Sequence, residues 1–355
     1  MQVRLAAHVA EPAEETVGAG DPTALGGASG EPRAISELDA SGSSADALAA
    51  SVADDRGVAP TRSRRRRIAQ VVGLAAGLGV LAALLVLVAR TLVRVSVVAD
   101  FMTRYPGEYE IAAAPGIPAW VGWQHFLNVF LIVLIIRSGL HVRSEQRPPA
   151  YWTSRRRPSV KISLTLWWHL SLDVMWLLNG AVFMVLIFTT GHWQRIVPTS
   201  WEVFPNAVSA VLQYASLDWP TEHGWANYNS VQQLAYFTTV FIAAPVAAVT
   251  GFRMSGWWPK RAEKLSRAFP IEWARRVHFP VMLYFVVFIV VHVVLVLTTG
   301  MLRNLNHMFA AQDAATWTGF WVFLASLVVI AAGWYIARPA LVAPVARLFG
   351  SVSSR

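Results

Sequence analysis

Six stretches of mostly apolar residues, each about 20 residues long, dominate this chain. They cover approximately residues 68–90, 118–140, 164–190, 231–252, 277–300 and 316–337. Of the 355 residues, 55% are hydrophobic and only 14% are charged, which is wrong for a soluble domain. A helix of this length spans the hydrocarbon core of a bilayer. The pattern therefore predicts an all-α polytopic membrane protein with six transmembrane helices.

The charge is divided unevenly along the chain. Residues 1–60 contain ten Asp or Glu against three Arg, and the remainder carries the positive excess that brings the total to +9. Basic blocks precede the first apolar stretch, follow the second, fourth and sixth, and are largely missing from the other loops. Because cytoplasmic loops are enriched in Lys and Arg, both termini are predicted to be cytoplasmic, in a bacterial plasma membrane. Membrane topology explains the basic excess better than nucleic-acid binding does.

Four regions follow from composition and span positions. Residues 1–61 have no aromatic residue and are rich in Ala, Gly, Ser, Asp and Glu, which predicts a disordered acidic cytoplasmic tail. Residues 62–117 are expected to form an accessory transmembrane helix and an outer loop, and residues 118–300 a core of four helices. Residues 301–355 are expected to form an outer loop, the last transmembrane helix and a short cytoplasmic tail.

The outer loop 191–230 is long and rich in aromatic residues. Within it, residues 206–216 are compatible with a short helix that lies on the surface. A loop of this length is often functional, but an aromatic belt at the membrane interface explains the composition equally well.

The chain has no cysteine. Its absence excludes disulfide bonds, cysteine-ligated iron–sulfur clusters and covalent attachment of haem through a CxxCH motif. Any haem must therefore be held without a covalent bond, by histidine or methionine side chains.

Two histidines, His278 and His292, lie fourteen residues apart in the fifth apolar stretch. In an α-helix this spacing separates the imidazoles by ~21 Å along the axis and returns the second ring to within ~40° of the first. One helix therefore offers two metal ligands on the same face, one near each membrane surface.

Two further histidines match these positions in depth. His125 begins the second stretch on the predicted outer side, and His169 begins the third on the inner side. The levels then pair His169 with His278 and His125 with His292. Facing side chains of a four-helix bundle can hold haem iron between two histidines, so four ligands predict two haem b groups stacked across the membrane. The alternative is a set of hydrogen-bonded structural histidines.

Two more polar residues could serve such a site. Asp173 follows His169 by four residues and shares its helix face, where it could orient the imidazole or accept a proton on the inner side. His141 competes as a ligand but lies on the face opposite His125, which favours a loop or interface position, in reach of a haem propionate. The other histidines are expected to be solvated, in outer loops or in the tail: His8, His192, His223 and His307.

Several segments resemble a known family. Gln124-His125-Phe126 leading to Ser138-Gly139-Leu140 is similar to the first haem-binding helix of prokaryotic di-haem cytochrome b subunits, of the cytochrome b561 or b/b6 type. These are the membrane anchors of formate dehydrogenase, nickel–iron hydrogenase and thiosulfate reductase. His169 resembles the second-helix ligand, and His278 with His292 resembles the double-ligand helix, over about residues 118–300. The first apolar stretch, the acidic tail, the loop 191–230 and the segment 301–309 have no counterpart in this resemblance.

The resemblance implies a di-haem cytochrome that exchanges electrons with membrane quinone, menaquinone or ubiquinone. It also implies an extracytoplasmic redox partner, for which a molybdenum enzyme is the expected class. The chain would then be the electron-transfer subunit of an oxidoreductase rather than its catalytic subunit. Two alternatives stay open: a stand-alone transmembrane reductase of a small external acceptor, and a haem-free proton-coupled transporter or sensor.

Overall fold

A computed structural model describes residues 60–156, 158–219, 224–259 and 261–354. The predicted acidic tail therefore lies outside the described residues, except for its last two positions. The described residues from Gly73 onward form one compact unit.

Helices make up most of the described chain. In chain order they are α1 (Pro60–Leu92), α2 (Ser96–Arg104), α3 (Ala119–Ser144), α4 (Leu164–Thr189), α5 (Val203–Ser216), α6 (Ser230–Met254), α7 (Glu263–Ala268), α8 (Ile271–Thr298), α9 (Met301–Phe309), α10 (Thr318–Ile336) and α11 (Pro339–Phe349). Six of them, α1, α3, α4, α6, α8 and α10, are long and apolar enough to cross a membrane. The predicted polytopic all-α class is confirmed, and α5 confirms the short helix expected in the loop 191–230.

The central four helices form two packed pairs. Helix α3 packs along α4, and α6 packs along α8, whereas close backbone approaches between the pairs are few. Aromatic side chains bridge them instead: Trp176 of α4 meets Phe285 of α8 edge-on at a centroid distance of 6.5 Å, and Phe188 of α4 meets Phe241 of α6 at 6.3 Å. The two pairs are thus far enough apart for large side chains to fill the space between their backbones.

Proline residues mark the two membrane helices of the second pair. In α6 the stretch Thr238–Ala243 is π-helical and directly precedes Pro245. A proline ring clashes with the carbonyl four residues earlier, and a wider turn relieves that clash. Pro280 stands inside α8, which nonetheless continues from Ile271 to Thr298. The fourteen-residue spacing of its two histidines is therefore helical throughout.

A second layer covers one end of the bundle. Residues 301–315, predicted as a loop, contain α9, which packs on α3, α8 and α10. The backbones approach closely at two glycines: a Cβ on Gly122 would clash with the carbonyl of Met308, and one on Gly319 would clash with Leu305. This segment is ordered because Asn306, which is fully buried, joins it to the start of α10.

A small sheet, which the sequence did not predict, covers the other end of the helical bundle. Strands β1 (Ala150–Ser154), β2 (Lys161–Ser163) and β3 (Gly350–Ser354) are antiparallel in the order β2-β1-β3, with Trp152 opposite both Ile162 and Val352. The Trp152 indole donates to the carbonyl of Ala346 at 3.1 Å, and α11 packs on α4. The predicted short tail after the last span is thus a helix and a strand, because its apolar residues pack against the α3–α4 connection.

The Asn306 contacts generate a prediction. Its Nδ2 donates to the carbonyls of Ala314 and Thr316 at 2.6 and 2.9 Å, and its Oδ1 accepts from the Gly319 amide at 2.6 Å. Asn306→Ala removes a fully buried amide and leaves its three partners unpaired, and we expect it to lower the free energy of unfolding by about 2–4 kcal/mol. Thermal unfolding in detergent measures this loss. Gln312→Ala, an exposed change in the same segment, should have almost no effect.

Candidate haem-binding centre

His125 of α3 and His292 of α8 face each other across the two helix pairs. Their ring centroids lie 6.2 Å apart, with an interplanar angle of 56°. Phe288, one turn before His292, stacks on its ring at 5.7 Å and 3°. Phe309 of α9 meets the His125 ring edge-on at 5.9 Å, so the covering layer touches this site directly. We call this arrangement the His125–His292 level.

The separation of these rings suits a single metal ion between them. Two metal–imidazole bonds of about 2 Å each, added to the two ring radii, amount to about 6 Å. The Nδ1 atom of His125 is buried and has no hydrogen-bond partner in the described protein. A buried polar atom without a partner is costly in a membrane protein, and burial beside a bound group would account for it.

The second level, His169 of α4 and His278 of α8, is held by hydroxyl groups. Ser138 Oγ lies 2.9 Å from Nδ1 of His169, and Thr250 Oγ1 lies 2.9 Å from Nδ1 of His278. With each Nδ1 atom engaged, the Nε2 atom of each ring is the one left to bind a metal. Because His125 near the start of α3 faces His292 near the end of α8, the end of α3 and the start of α8 lie together at the other end of the bundle, with Ser138 and His278 on them. We call this the His169–His278 level.

Each ring of this level also lies against a glycine. A Cβ built on Gly139 would stand 3.1 Å from Cε1 of His169, and one on Gly251 would stand 3.5 Å from Cε1 of His278. Both glycines directly follow the residue that supplies the hydroxyl. The sequence pointed to Ser138-Gly139 but not to Thr250-Gly251. Both dipeptides consist of a hydroxyl residue followed by glycine, and both lie near the C-terminal end of a membrane helix.

Asp173 approaches the opposite side of the His169 ring. Its Oδ2 lies 3.7 Å from Nε2 of His169, too far for a hydrogen bond. Ser138 engages the Nδ1 atom of the same ring, and the orienting role of Asp173 stays a prediction. The proton-accepting role of Asp173 stays a prediction.

The remaining histidines differ in their outcome. His141 lies in the last turn of α3 rather than in a loop, is exposed, and lines a cavity of about 30 Å³ with Arg137 and Trp168. The prediction of a solvated His307 is wrong: the residue is 5% exposed, and its Nε2 lies 2.8 Å from Oδ1 of Asp313. It is buried because α9 is a packed helix. His192 contacts the Gly116 carbonyl at 3.3 Å, and His8 and His223 lie outside the described residues.

A buried cation lies near the His125–His292 level. Arg195 is 1% exposed and donates to the carbonyls of Gly116 and Gly224 at 2.6 and 2.8 Å. Its guanidinium also stands 4.6 Å from the centroid of the Tyr228 ring. Burial raises the pKa of the Tyr228 hydroxyl, and the nearby Arg195 charge partly offsets that rise. Arg195 therefore joins three loop segments through backbone carbonyls, and no carboxylate among the described residues forms an ion pair with it.

The ligand groups are pairs rather than clusters. Among the described residues, no group of three or more His, Cys, Asp or Glu side chains could hold a metal ion. Two imidazoles alone are a poor metal site, but they suffice for an iron whose other four positions are filled by a porphyrin. The donor set therefore fits haem better than it fits a bare ion.

Six membrane helices and paired imidazoles between two helix pairs define a membrane cytochrome of the b type. The chain belongs to the prokaryotic cytochrome b561 family, whose model matches residues 117–311, just over half of its length. It is a haem b-containing membrane electron-transfer protein. The matched range extends over both the loop 191–230 and the segment 301–309, for which the resemblance offered no counterpart.

One curated relative is similar over about half of the chain. It is the "Putative protein-methionine-sulfoxide reductase subunit YedZ1" of Azospira oryzae, 27% identical over 200 residues, which cover 50% of this chain and 88% of the relative. No solved structure matches the chain significantly.

The glycine contact generates a prediction for haem binding. Gly139→Val places methyl groups where the His169 ring lies, since even a Cβ would stand 3.1 Å from it. We expect the haem b content of the purified protein to fall, because the ring must move away from its hydroxyl partner. Gly180→Val is the matched control in α4, where nothing lies within 4 Å of the added Cβ. An unchanged haem content in Gly139→Val would contradict the prediction.

Proposed function

We propose that this protein is a di-haem b-type cytochrome that carries electrons across the plasma membrane. In this proposal the quinone pool stands at one end and an extracytoplasmic oxidoreductase, of the molybdenum-containing class, at the other. His125 and His292 bind the outer haem iron, and His169 and His278 bind the inner one. The chain is the electron-transfer subunit and performs no substrate chemistry of its own.

The observation that carries the proposal is the facing pair His125 and His292. Their 6.2 Å centroid separation equals the span expected for two imidazoles on one iron. Each comes from a different helix pair, so an iron between them would also join α3 to α8. A bound haem would supply a one-electron couple at this position, where His125 and His292 would hold it between apolar walls that keep water away.

The second haem is supported by α8 itself. Since the helix is unbroken between His278 and His292, the two ligands stand ~21 Å apart along its axis. This distance places one ligand near each surface of a hydrocarbon core of about 30 Å. Two such centres divide the crossing into two shorter transfers, which a single haem could not provide.

The direction in the membrane follows from the basic loops. The connection between α3 and α4 and that between α6 and α8 are rich in arginine, and both lie at the His169–His278 end. By the positive-inside rule this end is cytoplasmic, and so are both termini. The His125–His292 level, with α5 and α9 over it, then faces outward, where a redox partner would dock.

The name of a curated relative supports the proposed class of partner. The relative from Azospira oryzae carries the name of a reductase subunit, so a similar chain is associated with a catalytic partner. Nothing in the described chain resembles a catalytic site for a soluble substrate. At the His169–His278 end, membrane quinone is the natural lipid-soluble source or acceptor of electrons. Asp173, which lies beside His169, is the candidate proton acceptor there.

Haem quantitation tests the proposal. We expect two haem b per chain by pyridine haemochrome, with His292→Ala losing the outer haem and His169→Ala losing the inner one. His141→Ala, an exposed control in the same bundle, should retain both. A wild-type protein with fewer than two haems, or retention of both haems in either ligand variant, would rule out the assignment.

Thiol labelling tests the orientation. Because the sequence contains no cysteine, an introduced cysteine provides the only thiol in the chain. Arg156→Cys places a thiol on the exposed α3–α4 connection, and Trp201→Cys places one before α5, at a side chain that is 84% exposed. We expect a membrane-impermeant maleimide to label Trp201→Cys in intact cells, and Arg156→Cys only after the cells are opened. The opposite labelling pattern would invert the proposed topology.

A further inference from the structure

His169 and His278 have the same local surroundings, although their rings contact different helices. On α3 the residues are Ser138 and Gly139, and on α6 they are Thr250 and Gly251. In each case the hydroxyl stands 2.9 Å from Nδ1 of the histidine, and the following glycine lets the ring lie against the helix backbone. The arrangement thus occurs twice, once in each helix pair.

The direction of these hydrogen bonds follows from the hydroxyl protons. Ser138 Oγ donates to the Ile135 carbonyl at 3.1 Å, and Thr250 Oγ1 donates to the Val246 carbonyl at 2.6 Å. A hydroxyl has one proton, so each of these oxygens can only accept from the ring. Both Nδ1 atoms must therefore carry hydrogen. The Nε2 atom of each ring is then the unprotonated nitrogen, which is the form that binds a metal.

Burial makes these bonds difficult to replace. Ser138 is 4% exposed and Thr250 is 3% exposed, so water has little access to either hydroxyl.

The other level differs. In the described part of the chain, neither His125 nor His292 has a hydrogen-bond partner for its ring, and the Nδ1 of His125 is buried. Its rings contact aromatic side chains instead, among them Phe288 and Phe309. The imidazoles of the two levels therefore differ in hydrogen bonding, and so would the ligands that each level offers to iron.

We propose that Ser138 and Thr250 are positioning residues that fix the tautomer of the inner ligands and lower the reduction potential of the inner haem relative to the outer one. This inference rests on the haem ligation proposed above. An imidazole that donates its Nδ1–H becomes a more basic ligand through Nε2, and a more basic ligand stabilises ferric over ferrous iron. The haem provides the redox couple; the two hydroxyls act on it only through the imidazoles.

The experiment is a potentiometric titration of the purified protein, followed at the haem α-band, for wild type, Ser138→Ala and Thr250→Val. The inner component is identified as the one missing from His169→Ala. We expect each hydroxyl variant to raise the potential of that component alone and to shift its ferric electron paramagnetic resonance signal. Loss of a bond of this kind typically lowers metal affinity by about 10-fold or more, so inner haem occupancy should also fall.

Rescue and control variants separate positioning from packing. Ser138→Thr and Thr250→Ser keep the hydroxyl and should keep the wild-type potential, even if stability changes. Ser171→Ala on α4 and Thr298→Val on α8 remove hydroxyls that bond only to carbonyls of their own helix. These controls should leave both potentials unchanged.

The outcomes distinguish this inference from the proposed function. If wild type lacks two b haems, the function itself fails. If two haems are present and neither hydroxyl variant shifts the inner potential or its resonance signal, the positioning role is overturned while the di-haem function stands. An equal shift at both levels, or the same shift in the two control variants, would also overturn it.

Discussion

Helix α8 determines the geometry on which the other ligands depend. It supplies one imidazole to each level, and because it is unbroken across Pro280, the separation of the two levels is set by helical rise alone. The remaining helices bring the other groups to these two depths. Helix α3 brings His125 to the first level and Ser138 to the second, and α4 brings His169. Replacing the pair α6–α8 as a unit would therefore disturb both levels, whereas a shift of α4 would disturb only one.

The two levels have different chemical surroundings, although both pair imidazoles from opposite helix pairs. At one level the rings are held by buried hydroxyls and lie on glycine backbones, and Asp173 lies 3.7 Å away. At the other they are surrounded by aromatic rings, with the buried Arg195 charge beyond Tyr228 and Tyr236. Hydrogen bonding and nearby charge are the means by which proteins tune haem potentials. In the proposed di-haem function, such a difference would give the electron path across the membrane a direction in free energy.

Much of the fold could be predicted because apolar length and charge are local properties. The six spans and the depths of His125, His169, His278 and His292 follow from hydropathy and helical rise. What failed depended on tertiary packing. Helix α9 is short and polar on one side, so its burial of His307 is visible only once α3 and α10 are in place. The hydroxyl of Thr250 was missed because a threonine in an apolar helix is ordinary, and its partner is 28 residues away.

The small sheet has a consequence for how the chain is made. Strand β1 lies between α3 and α4, yet one of its two neighbours is β3, at the very end of the chain. During synthesis all six membrane helices must emerge before that neighbour exists, so the α3–α4 connection waits with one edge unpaired. The sheet can therefore form only after residues 350–354 have been synthesised, and until then β1 presents an edge of unpaired backbone N–H and C=O groups.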